Sequence, residues 1–321
     1  MQIAIQTPPE TTSFRQLNDL WQAADRLGFH AAFTFDHFVP LDPNQKPGAA
    51  HDVPAGPQLE GWTTLAALAA KTEQLQVGVL VSGVTYRHPV LLAKMAVTLD
   101  HITQGRAILG LGAAWHEAEH LMYGFDFAPV GERMGRLEEA LELIGRLCRE
   151  KSVDFDGRWY QLHGAPFDPK PVRSAGLPIL VGGSGPRLRG IATRHATMFN
   201  SFGAPWEWRD INSDLDRRLE LAGRHPGDMM RTAFVFSELS DDKDLETALV
   251  ANFRRNRGGT DDEVRRRVVV GTPDRMIEVL HSYARAGVEM VVLNVRPDLE
   301  TRDLERFATE VLPALDRARA D

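Results

Sequence analysis

The sequence predicts an α/β fold, a (β/α)8 TIM barrel with loop insertions. Three observations predict it. Eight short apolar runs alternate with amphipathic helical patterns along the whole chain. The run at 75–82, LQVGVLVS, is apolar on both faces, as a strand in a parallel sheet must be. The length, 321 residues, suits one such barrel. An open doubly wound sheet is the competing architecture. It expects GxGxxG after its first strand, where this chain has TPPETT.

The elements follow in order. Residues 2–6 form the first strand, and Ser13 caps a helix that runs to Leu27 and is stopped by Gly28. Residues 30–35 form the second strand. A proline-rich segment at 38–58 has no periodicity, and long loops of this kind inside domains commonly carry function. A helix at 60–71 leads to the third strand at 75–82. A helix at 88–102 leads to the fourth at 106–111. After a helix at 131–149, VDFDGRWYQL reads as a hairpin turning at Asp156-Gly157. Residues 177–183, 196–200, 231–237 and 290–295 are the fifth to eighth strands. Helices at 185–194 and 274–286 lie among them, the second opened by Thr272-Pro273. A last helix ends near Ala318. No repeat, low-complexity tract or change of composition divides the chain. The expectation is one domain, 1–321, with insertions at about 38–58 and 150–177.

Composition narrows the function classes. The chain is 43% apolar with a net charge of −7, which argues against nucleic acid as a partner. No run approaches the length of a membrane span, and MQIAIQTPPE lacks the features of a secretion signal. Cys148, the only cysteine, lies in an apolar-periodic stretch and reads as a core thiol. The lack of any possible internal disulfide fits a reducing, cytoplasmic setting.

Barrels place their chemistry at the C-terminal ends of the strands. That rule selects Thr7, Asp36-His37, Ser82-Gly83, the stretch from Gly110 through Gly112 to His116, Gly182-Gly183-Ser184-Gly185, Asn200 and Asn294-Arg296. VGGSGPRLRG pairs a glycine turn with an immediate helix start, a pattern suited to phosphate, and Arg187 and Arg189 could add charge. Residues 116–120 match HExxH, the two-histidine zinc helix of a hydrolase. The match follows a glycine-rich strand exit, and Tyr123 occupies the glycine position of the extended motif. A loop presenting His116 to a ligand is the preferred reading, with no metal. The clusters RRNR (254–257) and RRR (265–267) read as solvated helix faces.

Several stretches together resemble the luciferase-like monooxygenase family, in particular its coenzyme F420 branch. They are IQTPPETT, LGFHAAFTFDHFVP, the long segment from GVLVSGVTYRHPV to EAEHLMYG, GERMGRLEEALELI, LPILVGGSG, VVGTPDRM and VVLNV. The resemblance spans nearly the whole chain and implies a bacterial luciferase-like barrel. It implies that His37 faces the reactive carbon of the deazaflavin as acid/base, with Asp36 beside it. Leu80, Val81 and Ser82 match a bulge with a non-prolyl cis peptide behind the ring. Gly182, Gly183 and Ser184 match a phosphate turn, and Gly112 lies along the cofactor. His116 falls in the variable fourth-strand loop on the substrate side. F420-dependent sugar-phosphate and alcohol dehydrogenases carry a glutamate near that point, and this chain departs from them there. Trp62, Trp115 and the 38–58 loop are expected to wall the pocket.

The implied activity is hydride transfer between F420 and a small-molecule substrate. FMN with oxygen activation, a zinc hydrolase through HExxH, and a non-catalytic deazaflavin-binding protein are the alternatives. Relatives of this kind are often homodimers, which implies the same here.

Overall fold

The computed structural model describes residues 1–41, 56–257, 260–295 and 301–317. The strands are β1 (Gln2–Gln6), β2 (Ala31–Thr34), β3 (Gln76–Val79), β4 (Ser82–Gly83), β5 (Ala107–Gly112), β6 (Ser152–Asp156), β7 (Gln161–Pro166), β8 (Ile179–Gly182), β9 (Met198–Ser201), β10 (Met230–Leu239), β11 (Val268–Gly271) and β12 (Met290–Asn294). Eight of them, β1-β2-β3-β5-β8-β9-β10-β12, pair in parallel, and β12 returns to β1, so the sheet closes. These eight are the eight expected from the sequence.

The core has two layers. Inward-facing Ala4, Phe33, Ile108, Leu180, Met198, Phe234, Met290 and Val292 plug the barrel. A larger layer lies between strands and helices and includes Ile3, Ile5, Trp21, Leu109 and Leu293. Alternation along each strand sends successive side chains to the two layers, so both faces must be apolar. Each fully buried Leu, Ile or Phe contributes about 1.5–3 kcal/mol. Cys148 sits in the outer layer, and burial pushes its thiol up to about 11, as a core thiol requires.

The helices are α1 (Phe14–Arg26), α2 (Gly61–Ala69), α3 (Pro89–Ile102), α4 (Glu117–Tyr123), α5 (Val130–Arg149), α6 (Pro186–His195), α7 (Pro205–Leu221), α8 (Lys243–Arg257), α9 (Asp261–Arg267), α10 (Pro273–Arg285), α11 (Thr301–Glu310) and α12 (Leu312–Arg317). Ser13 opens α1 in a capping box with Gln16. Several elements lay outside the sequence reading. Helix α7 buries only Trp208, Leu215 and Leu219 of its 17 residues, too sparse a stripe to stand out. Helices α8 and α9 and strand β11 fill the segment after β10. Strand β11 pairs with the last four residues of β10, beyond the reach of β9.

The hairpin β6–β7 forms as expected, but its turn differs. Asp156 pairs with Gln161, so the loop holds four residues rather than the two of an Asp-Gly turn. Glu139 on α5 explains this. Its carboxylate accepts from the Arg158 and Trp159 amides at 2.8 and 3.0 Å and holds the wider loop open. The 38–58 segment lies largely outside the described residues. Arg254 pairs with Asp261 at 2.8 Å, in line with a solvated helix face for the first basic cluster.

Candidate active site

The mouth of the barrel is shaped by a break in the third strand. Pairing stops at Val79 and resumes at Ser82 and Gly83, which join Leu111 and Gly112. Between them the Leu80–Val81 peptide is cis, as the resemblance implied. Val81 reaches across the mouth against two glycines. A Cβ on Gly112 or on Gly182 would come within 2.8 Å of a Val81 methyl. These two glycines make room for Val81, and a larger residue at either position would displace it. The Leu80 carbonyl accepts from the Gln6 side chain at 2.7 Å, and the Ser82 hydroxyl accepts from the Trp62 indole at 2.8 Å. Trp62 is 4% exposed and supports the bulge through this bond.

Asp36 and His37 leave β2 in different directions. Asp36 is buried, and its Oδ2 accepts from Arg87 at 2.5 Å. Arg87 also reaches Glu60 at 2.6 Å. Glu60 in turn caps α2 through the Trp62 and Thr63 amides. Burial raises the Asp36 pKa, and Arg87 opposes that. The neighbouring Ser82 hydroxyl also acts on this carboxyl and, like Arg87, opposes the effect of burial. Asp36 therefore belongs to the Arg87 network and does not orient His37.

The carboxylate that orients His37 is Glu119. His37 Nδ1 lies 2.8 Å from Glu119 Oε2, and Glu119 is fully buried. Tyr86 donates its hydroxyl to the same oxygen at 2.5 Å, and the Phe38 amide donates to Oε1. Burial alone would raise the Glu119 pKa, but the hydrogen bonds from His37, Tyr86 and Phe38 hold it below the ordinary value. Burial and the neighbouring carboxylate push the Tyr86 phenol up, so it stays a neutral donor. Because a carboxylate only accepts, the His37 proton sits on Nδ1. That leaves Nε2 as the basic nitrogen, with no hydrogen bond to the described residues.

His116 departs from expectation. It is the last residue of the loop between β5 and α4, but it is only 2% exposed and serves as the N-cap of α4, with Nδ1 accepting from the Glu119 amide at 3.3 Å. Burial lowers its pKa, consistent with a neutral accepting ring. His120 turns away from His116. Its Nε2 meets Thr85 Oγ1 at 2.7 Å, its Nδ1 meets the His116 carbonyl at 2.8 Å, and its ring stacks on Tyr86. The two histidines of HExxH therefore share no coordination site, and the zinc hydrolase reading fails on geometry. Donor atoms of His37, His116 and Glu119 do lie within 4.8 Å of one another. There the Glu119 Oε2 already takes two protein donors. Trp115, 46% exposed, stands edge-on to His37 at 5.6 Å between ring centres.

The glycine turn after β8 has the geometry expected of it. Gly183 and Gly185 adopt φ of +134° and +96°, where a side chain is strained. Helix α6 starts at Pro186 with no side-chain cap, so its first amides face the turn. Ser184 is exposed there. Arg189 is spent on Asp214 at 2.6 Å, and three arginines hold that carboxyl at about 2 despite some burial. Arg187 is the one exposed cation of the expected pair.

Thr7 accepts from the Trp21 indole at 2.7 Å, and Asn200 is bonded to Thr232, so both serve the scaffold. Arg296 lies outside the described residues. Sequence reading missed Glu119, Tyr86, Arg87 and Glu60. The signal for Glu119 was present inside HExxH, where attention fell on the histidines.

A closed parallel barrel with a histidine–carboxylate pair and a glycine turn at its C-terminal mouth defines the class. The chain belongs to the luciferase-like monooxygenase family, whose sequence profile matches residues 1–257. The F420-dependent glucose-6-phosphate dehydrogenase of Intrasporangium calvum is 27% identical over 330 residues, covering 94% of this chain and 95% of that protein. A solved F420-dependent secondary alcohol dehydrogenase, in complex with an F420-acetone adduct, superimposes with a TM-score of 0.83 at 18% identity, covering 98% of each chain. The coenzyme F420-dependent tetrahydromethanopterin reductase from Methanopyrus kandleri gives 0.79 at 18% identity, covering 97% of this chain and 98% of that one. The two structures share the fold.

Proposed function

We propose that this chain is an F420-dependent oxidoreductase in which His37 moves the proton that accompanies hydride transfer to or from a small organic substrate. The His37–Glu119 pair carries the reading. When bound, F420 supplies a ring carbon that accepts or gives hydride, and the protein must manage one proton. His37 Nε2 faces that task as the unbonded basic nitrogen. Glu119 fixes the tautomer through Nδ1 and stabilises the imidazolium that forms as the proton arrives. Tyr86 and the Phe38 amide keep the carboxylate ionised and in place. Glu119 is a positioning residue, since it touches His37 and not the substrate.

The residues at the mouth fit the cofactor. Leu80, Val81, Ser82 and Gly112 form the surface that would support the ring. Gly182, Gly183 and Ser184, with the open start of α6, suit its phosphate. His116 supports the site from below as the cap that places Glu119.

The reading extends to organisation. The chain acts as one barrel domain with two insertions, as a cytoplasmic homodimer. Among the described residues no helix is long and apolar enough to cross a membrane.

The test is turnover. Purified protein is mixed with F420 and a panel of alcohols, or with reduced F420 and a panel of carbonyl compounds, while the violet absorbance of oxidised F420 is followed. Substrate-dependent bleaching or recovery supports the reading. Turnover seen only with FMN and oxygen would replace it with the monooxygenase alternative. Binding without turnover on any substrate would replace it with a carrier role.

A further inference from the structure

HExxH fails as a metal motif because His116 and His120 diverge, yet one of its histidines and its second glutamate meet a third ligand type from elsewhere. Glu119 Oε2 lies 2.8 Å from His37 Nδ1 and 3.7 Å from His116 Nδ1. Donor atoms of the three residues all fall within 4.8 Å of one another, and among the described residues this is the one such group of three. A zinc-sized ion bound tetrahedrally at about 2.0–2.1 Å sets its ligands roughly 3.3 Å apart. The two measured separations lie on either side of that value. Among the described residues His37 is hydrogen-bonded only to Glu119, so its ring can turn to close the remaining edge.

The surroundings suit a bound ion. Tyr86 and the Phe38 amide hold the carboxylate from outside, the outer partners that a metal-ligating carboxylate needs. Burial keeps the His116 ring neutral, which is the form that ligates. The His116 cap bond that an ion would displace is a long one, 3.3 Å. Glu119 and His116 are buried, while the His37 side chain is 12% exposed and gives an ion its way in. Two imidazoles and one carboxylate select zinc and its first-row neighbours, not magnesium or calcium, which take oxygen.

We propose that a zinc-class dication binds to His37, His116 and Glu119 and inhibits the enzyme by switching the His37 tautomer. The ion takes lone pairs from the two Nδ1 atoms and from Glu119 Oε2, and water fills the fourth position. It occupies the place of the His37 Nδ1 proton. The neutral ring then carries its proton on Nε2 instead. Nε2 changes from a base into a donor and has no lone pair left for a substrate proton. The ion also cancels the charge of Glu119 that would stabilise an imidazolium. The site stands on its own geometry; the inhibition rests on the F420 reading.

Three variants decide the ligand set. The protein without cofactor is titrated calorimetrically with Zn²⁺ and with Mg²⁺. The expected result is one zinc ion per chain and no saturable binding of magnesium. His37→Ala and His116→Asn should each weaken zinc by at least the roughly 10–100-fold that loss of an outer-shell partner costs. Asparagine is a good N-cap, so His116→Asn keeps α4 capped. His120→Gln should leave zinc affinity unchanged, and thermal melts confirm that each variant is folded. Zinc binding lost in His120→Gln but kept in His37→Ala would restore the HExxH pairing and overturn the proposal. No zinc binding, or binding that ignores His37 and His116, would overturn it as well. With F420 and a substrate, zinc should abolish turnover and a chelator should restore it. Zinc held by these ligands with turnover untouched would overturn the role of His37 and leave the metal site standing.

Discussion

His37 Nδ1 and Glu119 Oε2 lie 2.8 Å apart, although 82 positions separate them in sequence. The contact joins the exit of β2 to helix α4, which follows β5. It gives a largely buried imidazole a fixed tautomer and leaves Nε2 as the basic nitrogen. Replacing Glu119 with Gln keeps the shape and removes the charge. The expected result is a fall in kcat/KM of roughly 10²-fold or more, in the range of a general acid–base contribution. F420 affinity should stay within error of the native value.

His37→Ala should be more severe in turnover. A loss of about 10²–10⁴-fold is expected, with cofactor binding retained. Stopped-flow measurement of the hydride step on saturated protein checks this. Unchanged rates would remove His37 from the chemistry.

Arg87 is the counter-charge of a buried carboxylate. Its removal as Arg87→Met strands Asp36, and a broken buried pair of this kind costs about 3–5 kcal/mol. Chemical denaturation should show that loss. The double variant with Asp36→Asn should recover a large part of it, since the uncompensated charge is then gone.

The two buried histidines set an acid limit on stability. Burial lowers the pKa of both His116 and His120 in the folded protein. Below an unfolded value of about 6.5, the unfolded chain binds protons that the folded one refuses. Stability is therefore full above that pH and declines as pH falls towards the folded values, by up to about 1.4 kcal/mol per pH unit for each histidine. Melting temperatures measured from pH 8 to pH 5 should fall, and His120→Gln should flatten the slope.

Glycine at the mouth is a spatial requirement. A Cβ on Gly110 would stand 2.0 Å from the Val79 carbonyl oxygen, which backbone cannot yield. Gly110→Ala should cost about 1–3 kcal/mol or more by overpacking. A Cβ on Gly182 would stand 2.8 and 3.3 Å from the two Val81 methyls, so Val81 must shift, but no backbone atom is in the way. Gly182→Ala should spare the fold yet weaken F420 roughly tenfold, about 1.4 kcal/mol, by shifting Val81. Thermal melts and cofactor titration distinguish the two variants.

The barrel was legible because its strands are apolar on both faces and its helices carry clear starts, the Ser13 cap of α1 and the proline that opens α10 at Pro273. Helix α7 and strand β11 were not. The first has three buried residues on a charged helix, and the second is a short valine run that, among the described residues, pairs only with an extension of β10. At the site, Asp36 and His37 were legible as a strand exit, and Val81 as a bulge. The partner of His37 was not, because a contact over 82 positions leaves no local pattern. Glu119 lay inside HExxH, a motif whose usual reading assigns its two histidines to one metal. Only the turn of His120 towards Thr85 separates them.

The most direct test of the central claim is a paired titration of the purified protein with F420 and with FMN, followed by tryptophan fluorescence. Trp115 stands beside His37 at the mouth and should report the bound ring. The account predicts saturable quenching by F420, with FMN about tenfold weaker or more. Tighter binding of FMN, or no binding of F420, would contradict it.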